Sequence, residues 1–506
     1  MNFLLDRFPV KTFNDLKIAL EDLGHEVPLS VLKEKLDSVD NSFNVNYFID
    51  RDVARGVVTK NVPMVLTRDE IEQASKYEGL VINLFARFDT TQGKFSSQEM
   101  SSHYYELYNF WIYQIKTCKI DFCFHNHVPH DPSSLILYLA LKNKKIPTVF
   151  FDVPYIFNKF KMLSCSFRHR SLLLENKNDK SKFNFFDEFN EYQQNLVNKG
   201  INSVPIGVRF RGEKKTDNTL KYRIKKISKL IMSNPSVLIS KIWNYCFGSQ
   251  DIFFKISRDS WSSKKNNMTR IHFYFFKQRL KLSLFFKYYR YEAKCIKNIK
   301  NEYIYFPMPS QPEATTLPLA LEFRDITLVL RIIRQAIPIE IPIIVKENLS
   351  VFETRNPYLS GVNYRSADFY EQLLKIQNLR FVSTKENSHE LIKNAKLIAS
   401  INGTAVIEAV TLGKPAISFG SNWHDNINGI HKFESINKLQ EFYKNIRSDS
   451  TFIKPENSKI KFDEDIMIKI GKHNTYRDND YRKQLVKSFI NSIYKFEEID
   501  DRKWDV

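Results

Sequence analysis

The segment from Ser400 to Phe419 restricts the folds that this chain can adopt. Its sequence, SINGTAVIEAVTLGKPAISF, predicts a strand that ends at Ser400, a tight turn and a helix over Ala405–Leu412. A second strand follows over Pro415–Phe419, after the turn residues Gly-Lys-Pro. A strand, a helix and a strand at this spacing favour a βαβ unit in a parallel sheet.

The turn between the first strand and the helix carries the polar residues of a ligand site. Asn402 and Gly403 allow the backbone to turn tightly and to approach a ligand. Thr404 is a residue type that caps helices, and the open N–H groups of a helix N-terminus are a natural phosphate site. Glu408 lies one turn further on and can accept hydrogen bonds from ribose hydroxyls. An ordinary βαβ turn with a good cap has the same spacing, so both interpretations stay open.

The same alternation of strands and helices extends over both halves of the chain. The N-terminal half has predicted strands at Gly79–Phe85, Ile120–Phe124 and Pro147–Phe151, with a helix over Ser133–Leu141. In the C-terminal half, strands are predicted at Tyr303–Phe306, Pro342–Lys346, Leu379–Val382 and Leu397–Ser400, and helices at Leu319–Ala336 and Ser388–Lys396. The pattern predicts an α/β protein with two doubly wound domains.

Four regions are predicted along the 506 residues. They are an N-terminal Rossmann-like, acceptor-side domain at 1–205, a basic, aromatic-rich helical insert at 206–300, a C-terminal Rossmann-like nucleotide-sugar-binding domain at 301–450, and a helical tail at 451–506.

The positive charge of the chain is concentrated in the insert. Residues 211–300 contain 22 Lys plus Arg and 5 Asp plus Glu, whereas the whole chain has a net charge of +19. Such a patch attracts polyanions. A helix pair packed on the core, a contact with an anionic membrane surface, and nucleic-acid binding are the alternatives. No zinc finger, helix-turn-helix or RNA-binding signature supports the last, so no specific nucleic acid is expected.

The cysteines and the hydropathy of the chain indicate the cellular compartment in which we expect the protein. Five cysteines, an odd number, fit no zinc or redox spacing and indicate a reducing, cytoplasmic compartment. Asp6 and Arg7 interrupt the first apolar run too early for a signal peptide, and no transmembrane helix is predicted. We expect a cytoplasmic protein that associates peripherally with the inner face of the cell membrane.

Two runs resemble a known family. The run Asn402-Gly-Thr…Glu408…Leu412-Gly-Lys-Pro415 is similar to the donor-domain motif of the capsule polysaccharide biosynthesis family, which includes Kdo (ketodeoxyoctonate) transferases of bacterial surface glycans. The run Tyr305-Phe-Pro-Met-Pro-Ser-Gln-Pro-Glu-Ala-Thr-Thr316 looks like the loop after the first strand of that family's C-terminal half. The resemblance covers residues 300 to 430 and, in layout only, the N-terminal half.

The resemblance implies a GT-B-like fold, with two Rossmann-like domains facing a cleft, and a glycosyltransferase activity. It implies a nucleotide-sugar donor, typically CMP-linked, and a surface polysaccharide or glycolipid acceptor. No cofactor and no metal are expected, because helix N-termini and basic side chains neutralise the leaving phosphates in such folds. The donor-binding residues that the resemblance implies are Gln311, Glu313, Asn402, Gly403, Thr404 and Glu408. From their positions beside these motifs we also expect Lys346, Asn348, Ser400 and His424 to contact the donor.

One of these positions departs from the family pattern. The family has a His-Pro pair after the second strand, in a Lys-x-His-Pro setting, whereas this chain has Lys346-Glu-Asn348. Asn348 can donate a hydrogen bond but cannot protonate a leaving group, and Lys346 can still supply positive charge.

Candidate catalytic residues lie in the N-terminal half. His125 and His127 follow a predicted strand and are expected to point at the cleft, with His130 and Asp131 beside them. The spacing of this cluster matches no known metal-ligand set, and acceptor binding, base catalysis and a surface role stay open. Asp89 and Asp152, each after a predicted strand, are candidates for the cleft carboxylate that acts as base or nucleophile.

Three other functions remain open beside the glycosyltransferase. A sugar-nucleotide epimerase shares the layout but usually has Gly-Gly where Asn402-Gly403 stands here. A CDP-polyol phosphotransferase of the teichoic-acid type also uses a CMP-linked donor. A non-catalytic glycan-binding or scaffold protein of the same fold would explain the change at Asn348.

Overall fold

The computed structural model describes most of the two predicted α/β domains. The described residues are 1–32, 46–88, 96–152, 160–164, 302–348 and 365–448, with isolated gaps inside these ranges, and shorter pieces at 167, 249–251, 265–267, 289, 351, 467–469 and 482–493. Asp89, Glu313 and most of the predicted basic insert lie outside these residues. The expectations made for them stay predictions.

The N-terminal domain is built on a mainly parallel sheet. Its strands are β1 (Asn2–Phe8), β2 (Glu26–Leu32), β3 (Asn46–Ile49), β4 (Phe122–His125), β5 (Thr148–Asp152), β6 (Phe160–Ser164) and β15 (Met467–Lys469). Within the described part of the chain, they lie in the order β15-β6-β5-β4-β1-β2-β3. β1 to β5 are parallel. At one edge β6 pairs antiparallel with β5, and β15 pairs antiparallel with β6.

Helices cover this sheet. They are α1 (Val10–Asp22), α2 (Asp50–Ala54), α3 (Arg68–Phe88), α4 (Ser97–Thr117) and α5 (Pro132–Asn143). α4 begins at a capping box of Ser96 and Glu99, and α5 begins at Asp131, whose side chain accepts from the backbone of Ser134. The apolar faces of α3, α4 and α5 form one buried cluster around Trp111 and Tyr104.

One predicted strand of this domain is wrong. Gly79–Phe85 lies inside helix α3. Leu80, Val81, Leu84 and Phe85 are buried while Gly79 is exposed, which is the spacing of a helix face rather than of a strand. A short apolar run fits either structure, and only the packing of α3 against α4 and α5 decides between them.

The C-terminal domain is a doubly wound parallel sheet. Two short strands, β7 (Ser249–Asp251) and β8 (Lys265–Asn267), pair with each other antiparallel before this domain begins. The strands of the domain are β9 (Ile304–Pro307), β10 (Ile343–Lys346), β11 (Leu379–Val382), β12 (Leu397–Ser400), β13 (Ala416–Ser418) and β14 (Ile430–Lys432). They pair in parallel in the order β11-β10-β9-β12-β13-β14, which is 3-2-1-4-5-6 in chain order. This is the strand order of a nucleotide-binding Rossmann sheet. The predicted strands of this half are confirmed.

The helices of this domain lie on both faces of the sheet. They are α6 (Ile326–Ala336), α7 (Ala367–Leu374), α8 (Ser388–Asn394), α9 (Ala405–Thr411) and α10 (Ile436–Ser448). The helix predicted from Leu319 begins only at Ile326, because Asp325 caps it and a short 3-10 turn precedes it. Two separate buried clusters fill the spaces between sheet and helices.

The C-terminal part of the chain returns to the N-terminal domain. Helical residues Leu485, Phe489 and Ile493 are buried in the same cluster as Phe3 and Phe124. The ring of Phe489 stacks on that of Phe124, with centroids 4.0 Å apart. The region predicted as a purely helical tail therefore also supplies strand β15 and part of the N-terminal core.

The two sheets confirm the predicted class: an α/β protein of the GT-B type with two Rossmann-like domains. The segment after β9 also connects the domains, since Leu317 and Leu319 are buried in the cluster formed by α3, α4 and α5. Among the described residues, no helix has the length and apolar character needed to span a membrane.

Candidate functional site

The strand order of the C-terminal sheet singles out one place for a ligand. The order reverses between β9 and β12, so the loops that leave their carboxyl ends diverge to opposite faces. The crevice between such loops is where open α/β sheets bind ligands. Both runs of the sequence resemblance, the loop around Gln311 and the turn around Asn402, leave the sheet at this point.

Asn402 ties the two loops together. Its Nδ2 donates to the carbonyl oxygen of Thr315, in the loop after β9, at 2.8 Å. Its Oδ1 accepts from Nδ2 of Asn422, in the loop after β13, at 3.0 Å. A Cβ atom at Gly420 would lie 1.8 Å from this Oδ1, so only glycine permits the arrangement. One amide side chain therefore sets the relative positions of three loops.

Ser400 and Gly403 shape the turn itself. Ser400 Oγ accepts a hydrogen bond from the backbone N–H of Gly403 at 3.0 Å. A Cβ atom on residue 403 would come within 2.7 Å of the same oxygen, which real Cβ contacts do not tolerate. The close approach of side chain and backbone explains why the turn requires glycine.

Thr404 does not cap the helix as predicted. Its backbone is already helical, with φ −67° and ψ −12°, and its side chain makes no capping hydrogen bond. Instead, its hydroxyl donates to Oε1 of Glu408 at 3.2 Å. The expectation was wrong because a cap needs an extended backbone. A donor-binding role for Thr404 stays a prediction.

Glu408 and Lys346 are two interacting titratable groups near this crevice. Burial raises the pKa of Glu408 to about 7, although the Thr404 hydroxyl and the charge of Lys346 oppose the rise. Burial lowers the pKa of Lys346 to about 8, against the attraction of Glu386 and Glu408. Both groups therefore change charge near neutral pH, which suits a site that handles phosphate charge.

Lys346 reaches a residue that sequence reasoning missed. Its Nζ donates to Oγ of Ser388 at 2.7 Å. Ser388 is the first residue of α8, directly after the capping residue Asn387. A serine at the start of a helix has no distinctive signature, so only the tertiary contact could reveal it.

Gln311 and Asn348 lie around a buried ion pair. Arg365 pairs with Glu347, with Nε and Oε2 2.7 Å apart, and also donates to Oε1 of Gln311. The backbone N–H of Asn348 donates to Oε1 of Glu347 at 2.9 Å. Sequence reasoning missed Arg365 and Glu347, because a pair 18 residues apart leaves no local pattern.

His424 lies at the same edge, after β13. It is 2% exposed, and its Nδ1 is 3.9 Å from Oδ1 of Asp425. Asp425 in turn accepts from the backbone N–H of Asn422 at 2.9 Å. His424 thus lies beside the loop whose Asn422 donates to Asn402.

His125 of the N-terminal domain does not point into an open cleft. Its side chain is fully buried, with Nδ1 2.6 Å from Oδ2 of Asp6. The hydroxyl of Ser134 donates to the same oxygen at 2.8 Å. His125 was expected to point at the cleft, whereas Asp6, on the neighbouring strand β1, holds the buried ring within the sheet. Its catalytic role stays a prediction.

His127 and His130 are half-buried in the loop after β4. Their ligand atoms and those of Asp131 lie within 4.8 Å of one another. However, Asp131 Oδ1 caps α5 at 3.3 Å from the Ser134 nitrogen, and Oδ2 pairs with Arg7. The helix and Arg7 thus engage both carboxylate oxygens of Asp131, which disfavours a metal site in this cluster.

The two candidate carboxylates differ in position. Asp152 is the last residue of β5 and is buried, 2% exposed, rather than following the strand. Asp89 lies outside the described residues, and it follows helix α3 rather than a strand. Their roles as base or nucleophile stay predictions.

Comparison with known proteins yields distant structural likenesses. No protein-family model and no curated protein sequence matches this chain. Among solved structures, the chain is similar to the beta Kdo 2,7 transferase KpsC of Thermosulfurimonas dismutans, with 11% identity over 81% of this chain and 96% of that one and a TM-score of 0.28. It is also similar to UDP-GlcNAc 2-epimerase from Methanocaldococcus jannaschii in complex with UDP-GlcNAc and UDP, with 10% identity over 98% and 100% of the two chains and a TM-score of 0.26.

A third similar structure is the glycosyltransferase VinC in complex with DTDP, with 9% identity over 98% of this chain and 100% of that one and a TM-score of 0.21. TM-scores this low carry no argument. The fold class therefore rests on the order and direction of the strands, and the site on the contacts at the carboxyl edge of β9 and β12.

Proposed function

We propose that this protein is a nucleotide-sugar-dependent glycosyltransferase whose C-terminal domain binds the donor. One observation carries the proposal: Asn402 bonds to Thr315 across the point where the strand order reverses. This bond brings the two runs with family resemblance together at one edge of the sheet, which supports a donor site between them. Lys346 supplies positive charge at its base, and Glu408 supplies an acceptor for hydroxyl groups.

We further propose that the sugar is Kdo or a related acidic sugar from a CMP-linked donor, and that the acceptor is a bacterial surface polysaccharide or glycolipid. This step rests on the resemblance of residues 300 to 430. The same proposal has the enzyme working in the cytoplasm at the inner face of the membrane, with the basic insert in contact with an anionic surface.

Thermal unfolding in the presence of CMP, CDP, UDP, GDP or ADP tests the donor site. A ligand that binds only the native state stabilises it by about 2.7 kcal/mol at a hundredfold excess over Kd. We expect a selective rise in Tm with CMP. A selective rise with UDP or GDP would keep the glycosyltransferase and exclude the Kdo analogy, and no rise with any nucleotide would contradict the donor site.

Two glycine variants locate that binding. Gly420→Ala must displace Asn402, and we expect it to abolish the nucleotide-dependent rise in Tm and to destabilise the fold by about 1–3 kcal/mol. Gly79→Ala is the control, since a Cβ there meets no atom within 4 Å and the position is an exposed one in helix α3. It should keep the nucleotide response and raise stability by roughly 0.5–1 kcal/mol. Loss of the response in both variants, or in neither, would contradict this location.

Assays with and without an acceptor separate transfer from epimerisation. An epimerase converts its sugar nucleotide with no acceptor present, whereas a transferase releases the nucleotide mainly when an acceptor is added. We expect acceptor-dependent release. Conversion of the sugar in the absence of any acceptor would replace the transferase with the epimerase.

A further inference from the structure

The ion pair between Arg365 and Glu347 is the most completely buried charge pair near the crevice among the described residues. The two side chains are 1% and 0% exposed. Arg365 Nε lies 2.7 Å from Oε2 of Glu347, and Nη2 lies 3.3 Å from Oε1. The hydroxyl of Tyr370 donates to Oε2 at 2.9 Å. The carboxylate is thus held by a two-pronged guanidinium contact and a phenol.

The same guanidinium reaches the loop after β9. Nη1 donates to Oε1 of Gln311, and Nη2 donates to the carbonyl oxygen of Pro309 at 3.1 Å. Glu347 acts on the other side, because its Oε1 accepts from the backbone N–H of Asn348 at 2.9 Å. One ion pair therefore fixes both the Gln311 loop and the peptide that carries Asn348.

Stability alone gives weak reason for such a pair. Removing two charges from water costs several kcal/mol, and replacing a buried ion pair with apolar residues of similar volume is often neutral or stabilising. A fork of donors does, however, fix the direction of each partner better than an apolar contact does. The contacts of Arg365 are directed at two residues of the proposed donor crevice.

We propose that Arg365 is a positioning residue of the donor site, which sets the Gln311 side chain and, through Glu347, the Asn348 peptide for binding the nucleotide donor. The proposal rests on the proposed function, since only that function makes Gln311 and Asn348 ligand-binding groups. Arg365 has no role as a group that touches the donor. It acts through its two neighbours.

The test removes the guanidinium without leaving an unpaired buried charge. In the double variant Arg365→Met with Glu347→Gln, the amide oxygen can accept from the Asn348 N–H, and the amide nitrogen can donate to the Tyr370 hydroxyl, which is free to turn. The matched control is Arg334→Met, in the same domain but at the amino ends of strands β10 and β11, away from the crevice. Arg334 likewise bridges carbonyl oxygens, those of Ile341 at 2.9 Å and Ile337 at 2.8 Å.

Titration calorimetry with CMP and with UDP, well below the Tm of every variant, measures the effect on the site. We expect the double variant to bind about tenfold more weakly than the natural chain, because a misplaced binding group loses affinity steeply. Arg334→Met should bind within about twofold of the natural chain. Adding Gln311→Ala to the double variant should cause no further loss of nucleotide affinity, since the loss of Arg365 already removes the contact that positions Gln311. Equal losses in the double variant and the control would overturn the proposal.

Hydrogen exchange provides a readout that needs no nucleotide. The N–H of Met308 donates to the carbonyl oxygen of Lys346 at 2.9 Å, and this bond reports on the joint between the loop and β10. We expect faster exchange over residues 304–320 in the double variant and not in Arg334→Met. Unchanged exchange in the double variant would overturn the positioning role. If the natural chain bound neither nucleotide while the exchange changed as expected, the donor site would be contradicted, whereas the role of Arg365 in holding the Gln311 loop would be supported.

Discussion

At the residue scale, the crevice depends on side chains whose partners are far away in the chain. Asn402 joins loops 87 residues apart, and Arg365 joins Gln311 to Glu347. The sequence motif predicted Asn402, Gly403 and Gln311 as members of the site. It did not predict Arg365 or Ser388, because a single arginine or serine becomes recognisable only when folding brings its partner to it.

Glu408 makes the stability of the fold depend on pH. Its pKa rises from 4.5 to about 7 because the carboxyl is buried. A raised pKa means that the folded state disfavours the charged form, so this contribution to stability is fully present below about pH 4.5 and is lost as pH rises through about 7. Glu408→Gln has no ionisable group at this position. We expect its free energy of unfolding, relative to that of the natural chain, to increase between about pH 5 and about pH 8 by on the order of 1–3 kcal/mol.

Denaturant unfolding of both proteins across this pH range measures that difference. Glu371→Gln, at an exposed position of α7, serves as the control and should show no comparable trend. A difference between Glu408→Gln and the natural chain that stays constant from acid to alkaline pH would contradict the assignment.

At the scale of elements, two helix starts differ between expectation and structure. α6 begins at Ile326, after the capping residue Asp325, rather than at Leu319, and Thr404 precedes α9 without capping it. A residue type with capping potential is not sufficient, because the backbone must also be extended there. Asp325 meets this condition, with ψ 109°, and its side chain accepts from the N–H groups of Thr327 and Leu328.

Asp325→Ala should therefore destabilise the C-terminal domain. Loss of both capping bonds is expected to cost about 0.5–2 kcal/mol, whereas Asp325→Asn keeps an acceptor and should cost much less. Thermal unfolding of the two variants beside the natural chain measures the effect. Equal losses for alanine and asparagine would show that the charge of Asp325, and not its capping bonds, is what matters.

At the scale of the whole molecule, the last described helical residues belong to the N-terminal domain. Phe489 stacks on Phe124 and contacts Phe3 and Phe122 edge-on. Strand β15 extends the N-terminal sheet beyond β6. The N-terminal core is thus completed by residues from the opposite end of the chain.

We expect Phe489→Ala to destabilise the N-terminal domain by about 3–5 kcal/mol, since it leaves a cavity among aromatic rings. Lys487→Ala, at an exposed position of the same segment, should have little effect. Hydrogen exchange localises the loss: protection should fall in β1 and β4 and should persist in β9 to β13. A uniform fall over both sheets would mean that the two domains unfold as one unit.

The α/β class, the strands of the C-terminal domain and the turn at Asn402 could be predicted from the sequence, because each depends on neighbours within about ten residues. Tertiary structure decided the rest. Gly79–Phe85 is helical because it packs against α4 and α5. His125 is buried because it pairs with Asp6, and the strand order places the loop of Gln311 beside that of Asn402. The physical reason is the same in each case: burial and pairing with residues distant in sequence outweigh local preference.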